Sequence, residues 1–327
     1  MKRYTYCADK SKSGLKIFHY TVPSKDGSTL KCLALSDLHI FSDADLKNMD
    51  IIIKELQSSQ YDVLFLVGDI ADQATLFRDD ELMTNRLLNF IRTLGTILPV
   101  YLVYGNHDEG FYAPKDKKLN GSLWLDGSHF FNEKFHSLIS GYEGVHILDN
   151  KTVSLRKGYT LSGINPSINY MIKDMGNDLN AILNEVDLSF LEGLQDEETN
   201  ILLCHYPDLL VALARDRLLQ KVDLCISGHN HNGCTQLRIF PIEAIFDFLK
   251  MRNRGIITPC MSILPKDTKN LRGVIEFDER TNMAINPCVK TFSACGGSMK
   301  KLDGLFYKGA TSVEFVPEKE FILKPKK

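Results

Sequence analysis

Apolar positions along the chain fall into two recurring patterns. Short apolar runs rich in β-formers, bounded by Gly, Pro, Ser or Asp, predict strands at residues 15–22, 30–35, 63–67, 100–103, 145–148, 152–155, 159–164, 201–204 and 224–226. Between them lie segments with helical spacing. Residues 45–57 carry Leu46, Met49, Ile53 and Leu56 on one face, and residues 81–94, 130–139, 179–193 and 207–219 also read as helices. Further short strands are predicted near residues 273–277, 283–287 and 312–316. Strand alternating with helix is the pattern of a layered α/β fold. The runs at 145–148, 152–155 and 159–164 have no helix between them, which predicts consecutive antiparallel strands of a second sheet.

Two stretches break the pattern. Residues 111–128, which carry the sole Trp, Trp124, and residues 165–177, which carry Tyr170 and Met171, are polar loops long enough to suggest a functional role. The mixed apolar and basic segment 240–254, with Lys250, Arg252 and Arg254, is a second candidate wall for a cleft. No repeat, low-complexity block or linker divides the chain. The expectation is one domain over 1–327, with its chemistry between 31 and 233 and with 234–327 completing the second sheet.

Composition narrows the function classes. The net charge is −2, and no concentrated basic surface argues for nucleic acid or an anionic membrane as partner. Residues 1–16 lack the apolar centre of a signal peptide, and no stretch has the roughly 18 consecutive apolar residues of a membrane span. The eight Cys contain no CxxC pair, and Cys204 and Cys225 sit inside apolar strands. Reduced, buried thiols and a cytoplasmic location are the expectation.

The chemistry sits where the strands end. The run at 63–67 stops at Gly68-Asp69, the run at 30–35 at Asp37-Leu38-His39, and the run at 100–103 at Gly105-Asn106-His107-Asp108. His205 follows the run at 201–204, and Gly228-His229-Asn230-His231 follows the run at 224–226. Each of these polar residues alone has an ordinary reading as a helix cap, turn or packed core group. Together, five of the nine His gather with Asp and Asn along one sheet edge, the edge where α/β folds collect ligands. The His-x-His spacing, taken as extended chain, would aim both rings to one side.

Carboxylate, imidazole and amide ligands without a thiolate suit borderline divalent ions such as Mn, Fe or Zn. Asp37, His39, Asp69, Asn106, His205, His229 and His231 are too many for one ion and suit two, with Asp69 shared. Two ions about 3.5–4 Å apart would activate a water as hydroxide and clamp a phosphate. His107, with Asp108 beside it, is not needed as a ligand and is placed for general-acid work on a leaving group.

These blocks, Asp-x-His, Gly-Asp, Gly-Asn-His-Asp, His and Gly-His-x-His, resemble the calcineurin-like metallophosphoesterase superfamily from Asp37 to His231, in the family's order and with no block missing. The strings His205-Tyr206-Pro207-Asp208 and Gly228 to Gly233 look closest to bacterial phosphodiesterase-like members of the YkuE type. The resemblance implies a four-layer αββα sandwich of two mixed β-sheets flanked by helices, with the active site at the C-terminal ends of the strands. It implies one metal on Asp37, His39, Asp69 and His231, a second on Asp69, Asn106, His205 and His229, His107 as proton donor or phosphate contact, and Asp72 behind the ligands. Gln73 and Asp108 depart from the Ser/Thr protein phosphatase branch, which has Arg and Glu at those places. The expected activity is hydrolysis of a small phosphodiester or phosphomonoester by metal-activated hydroxide. The alternatives are a nuclease, or a protein-interaction scaffold on the same fold.

Overall fold

The computed structural model describes residues 5–40, 45–71, 81–105, 108, 132–165, 186–229, 273–277, 280–286 and 308–323. Its strands form two mixed sheets, with helices on their outer faces. The first sheet uses β1 (Thr5–Lys10), β2 (Lys16–Ser24), β3 (Leu30–Leu35), β4 (Val63–Val67), β5 (Val100–Val103), β6 (Val145–Ile147) and β13 (Gly309–Pro317), in the order β1-β2-β13-β3-β4-β5-β6. The second uses β7 (Lys151–Arg156), β8 (Tyr159–Ile164), β9 (Thr199–Cys204), β10 (Leu224–Ser227), β11 (Gly273–Glu276) and β12 (Asn282–Ile285), in the order β11-β12-β10-β9-β8-β7. Strands β3 to β6 run parallel, as do β8, β9, β10 and β12.

The two-residue period of the strands divides the core into three layers of packing. Along β4, Leu64 and Leu66 pack with α1 (Leu46–Ser58), α2 (Glu81–Ile97) and α3 (Asn132–Ile139), through Met49, Leu87, Phe90 and Phe135. Val63, Phe65 and Val67 alternate with them and meet Leu161, Ile201, Leu203 and Ile226 between the two sheets. The sheets approach so closely at Gly163 that a Cβ there would lie 2.4 Å from Leu148 Cβ. On the far side, Leu202, Cys204 and Cys225 pack against Leu209, Leu210 and Leu213 of α4 (Pro207–Arg215). Cys32, Cys204 and Cys225 are buried.

Three expectations need correction. β6 belongs to the first sheet, parallel to β5, and of these three strands β7 and β8 alone lie in the second, as an antiparallel pair. The helix α3 between β5 and β6 explains this, because a helical crossover returns the chain to a parallel neighbour. The chain beyond 233 serves both sheets: β11 and β12 extend the second, whereas β13 enters the first between β2 and β3. In the part of 179–193 that is described, helical structure is a single 3₁₀ turn, Ser189–Leu191.

Two elements are additions to the sequence pattern, β1 at an edge of the first sheet and α5 (Glu318–Leu323) after β13. The loops 111–128 and 166–177 and the segment 240–254 lie outside the described residues. Among the described residues, no helix is long and apolar enough to cross a membrane.

Candidate metal centre

The C-terminal ends of β3, β4, β9 and β10 carry their chemistry within one to four residues of the last strand position. Asp37 and His39 follow β3, Asp69 follows β4, His205 follows β9 and His229 follows β10. Asp37, His39, Asp69 and His205 are buried. One ligand atom each from Asp37, His39 and Asp69 lie within 4.8 Å of one another, and the same holds for Asp69, His205 and His229. Asp69 is common to both groups. Its Oδ2 is 3.5 Å from His39 Nε2 and 3.2 Å from His205 Nε2.

The backbone is bent to reach this arrangement. Asp37, His39, Asp69 and His229 have φ of 55°, 41°, 54° and 67°, a left-handed conformation that costs an L-residue roughly 1–2 kcal/mol. The neighbouring strand ends hold the bend between them. Asp37 N donates to Gly68 O at 3.0 Å, His39 N to Asp69 O at 2.9 Å, and Ile40 N to Ile70 O at 3.0 Å. At His229 this conformation replaces the extended chain expected of the His-x-His segment.

Glycines let the pieces meet. A Cβ on Gly68 would lie 2.3 Å from His205 Nδ1, and a Cβ on Gly105 would lie 2.3 Å from Asp69 Oδ1. Gly68 also has φ of 79°, so both its space and its backbone require glycine.

His205 is oriented from behind. Its Nδ1 lies 2.7 Å from the carbonyl oxygen of Val67, which can only accept, so Nδ1 carries the proton. In the neutral ring Nε2 is then the nitrogen with a lone pair, and it is buried 3.2 Å from Asp69 Oδ2. Backing one ring nitrogen with a carbonyl is how a metal-binding imidazole is fixed in tautomer and direction. The His229 ring lies edge-on to that of His205, with centroids 5.1 Å apart, and Tyr206 packs 5.2 Å from both.

Asp108 does something the sequence did not indicate. It is fully buried, and its Oδ1 accepts the amides of Ile70 and Ala71, both at 2.9 Å, while Oδ2 accepts that of Gly105 at 3.0 Å. One carboxylate therefore ties the loop after Asp69 to the loop that leads into Asn106. Two further residues were not anticipated. The Ser36 hydroxyl donates to Asp37 Oδ2, and Asn286, just past β12, donates from Nδ2 to Ser36 Oγ at 3.0 Å. The signal for Asn286 is the one that marks the ligands, a polar residue closing a short apolar strand. Asp72, Asn106, His107 and His231 lie outside the described residues.

The electrostatics express excess negative charge away from water. Burial pushes the His205 imidazole down, but Asp69, the charge of Asp37 and the Val67 carbonyl outweigh it and bring it up to about 9. Burial, reinforced by Asp69, lifts Asp108 to about 7 against the amides of Gly105 and Ala71. At both groups the Asp69 charge favours the protonated form. Buried carboxylates and imidazoles without a thiolate, with one nitrogen held and aimed, are a donor set that fits borderline divalent ions.

The family model described as Calcineurin-like phosphoesterase matches residues 30–233. An uncharacterized metallophosphoesterase of Helicobacter pylori is 22% identical over 229 residues, covering 69% of this chain and 50% of that protein. A bovine transmembrane protein with a metallophosphoesterase domain (Bos taurus) is 28% identical over 234 residues, 69% of this chain and 44% of its own. This chain thus spans half or less of these relatives. Among solved structures, a dimetal phosphatase from Danio rerio is similar over 79% of this chain and 87% of its own, at 14% identity and a TM-score of 0.40.

Proposed function

We propose that this chain, which belongs to the calcineurin-like phosphoesterase family, hydrolyses a small phosphate ester at a centre for two divalent metal ions. The observation that carries the reading is the sharing of Asp69 between two clusters of ligand atoms, one with Asp37 and His39 and the other with His205 and His229. In this reading His231 completes the first cluster and Asn106 the second. Two divalent ions held there, with Mn, Fe or Zn the suitable types, would polarise the phosphoryl group and bring the pKa of a water toward neutrality.

The chain's own residues then have separate tasks. Asp69 holds its carboxylate between the two clusters, where its charge serves both. His205 presents Nε2 because Val67 keeps the proton on Nδ1. His107, next to the second cluster in sequence, donates a proton to the leaving-group oxygen. Asp108 keeps the loop that bears His107 registered against the loop that bears Asp69. Asp72, which follows Ala71 in sequence, would support the metal ligands from behind.

The test is elemental analysis of the purified chain together with hydrolysis of bis-p-nitrophenyl phosphate and p-nitrophenyl phosphate in the presence of Mn²⁺. Two metals per chain and turnover of either ester are expected, with both lost in Asp69→Ala. His107→Ala should keep its metal and slow turnover about 10²- to 10⁴-fold. Unchanged turnover in Asp69→Ala would refute the reading.

A further inference from the structure

The geometry points to Ser36 and Asn286 as positioning residues for Asp37, a two-step clamp through which the second sheet sets a ligand carried by the first. The inference rests on the reading of Asp37 as a metal ligand. The three residues are buried, and Asn286 stands 250 positions from Ser36 in the chain.

The direction of the hydrogen bonds follows from proton counting. An ionised carboxylate only accepts, so the single hydroxyl proton of Ser36 goes to Asp37 Oδ2. What remains on Ser36 Oγ is lone pairs, which call for a donor. The Asn286 amide supplies it from Nδ2 at 3.0 Å. The opposite amide orientation would set two acceptors against each other. The chosen orientation leaves Asn286 Oδ1 buried without a hydrogen bond, a penalty accepted at this position for the sake of the donor.

The scaffold around the clamp is built to deliver it. Asn286 N donates to Ser227 O at 2.7 Å, which carries the β10–β12 pairing one residue beyond Ser227 and Ile285. Gly228 follows Ser227, and a Cβ on Gly228 would lie 2.7 Å from Ser36 Cβ and 2.9 Å from Ser36 Oγ. The end of β10 thus seats directly on Ser36, and the next residue is His229. One contact between the sheets therefore sets the spacing between Asp37 of the first cluster and His229 of the second. A hydrogen bond to one carboxylate oxygen also fixes the plane of the group, which decides where its other oxygen lies.

The experiment is Mn²⁺ binding to the full chain, with free Mn²⁺ followed by electron paramagnetic resonance, on Ser36→Ala, Asn286→Ala, the double variant and Asp37→Ala. Thermal unfolding confirms that each is folded. Should Asn286→Ala not fold, Asn286→Asp replaces it, keeping the shape and losing the donor. Each single variant should weaken one of the two Mn²⁺ by about 10- to 100-fold, the range for a lost outer partner of a ligand, and leave the other unchanged. Because Asn286 acts through Ser36, the double variant should bind no more weakly than Ser36→Ala alone.

Equal weakening of both ions, or losses that multiply in the double variant, would make the pair merely structural and overturn the inference. If Asp37→Ala loses one ion while Ser36→Ala binds both normally, the clamp fails and the dinuclear reading stands. If Asp37→Ala loses none, Asp37 is no ligand, and the assignment of the first cluster falls with the clamp.

Discussion

The Nδ1 proton of His205 is held by the carbonyl oxygen of Val67 at 2.7 Å, across from one sheet to the other. The bond survives only because nothing projects from Gly68, the residue after Val67, where a Cβ would come within 2.3 Å of the same nitrogen. A ligand of the second sheet is thus aimed by the backbone of the first.

Gly68→Ala should therefore act as a metal-site variant with an intact His205. Its methyl group displaces the ring, and its backbone at φ 79° is strained for alanine. We expect one metal to be lost or weakened about 10- to 100-fold, as for a disrupted outer partner. Full metal content with ordinary turnover would show that the ring can move without consequence. Elemental analysis beside the p-nitrophenyl assays decides it.

Asp108→Asn tests the tie between loops. The amide keeps one acceptor oxygen for Ile70 and Ala71 but turns an NH₂ group toward the Gly105 N–H, leaving a buried donor unmatched. The expected loss is about 1–3 kcal/mol of stability, read as a lowered denaturant midpoint with an unchanged slope. Metal affinity should fall as well, because the loops bearing Asp69 and Asn106 lose their common anchor. Stability equal to the parent would remove the tie from consideration.

A third prediction concerns pH and lies away from the metals. Burial is the largest influence on Glu55 and pushes its carboxyl up, but the hydroxyls of Ser13, Ser11, Ser59 and Tyr61 together bring it below the ordinary value. Ser13 Oγ donates at 2.7 Å and Ser59 Oγ at 2.8 Å, which pins the turn before β2 to α1. A carboxyl with a lowered folded-state pKa contributes stability above its unfolded value of about 4.3, and that contribution disappears as pH falls through the lower folded value. The melting temperature of the parent should drop more steeply on acidification below about pH 4.3 than that of Glu55→Gln. At neutral pH the variant should be less stable by about 1–3 kcal/mol, since hydroxyl donors lose an acceptor. Parallel curves for the two proteins would refute the assignment.

The strands that carry the site, and the polar residues at their ends, were legible along the chain. Runs such as 63–67 and 201–204 are apolar on both faces because both faces are covered, and that double burial is written locally in consecutive side chains. The residues that close those strands, Asp37, Asp69, His205 and His229, could be read as ligands because a parallel sheet brings all its C-terminal ends to one edge. How the strands are shared between the two sheets was settled by long-range pairing. Whether residues 145–147 join the first sheet or the second depends on a crossover rather than on their own composition. β13 finds its place between β2 and β3 through pairings with residues almost 300 positions away. The supporting contacts were equally out of reach. Asp108 reads as a partner for the adjacent His107, yet its carboxylate is taken up by amides, and backbone N–H groups are the same in every sequence. Ser36 and Asn286 meet only because two sheets close on each other at a glycine, and a contact of that kind exists in space before it has any signature along the chain.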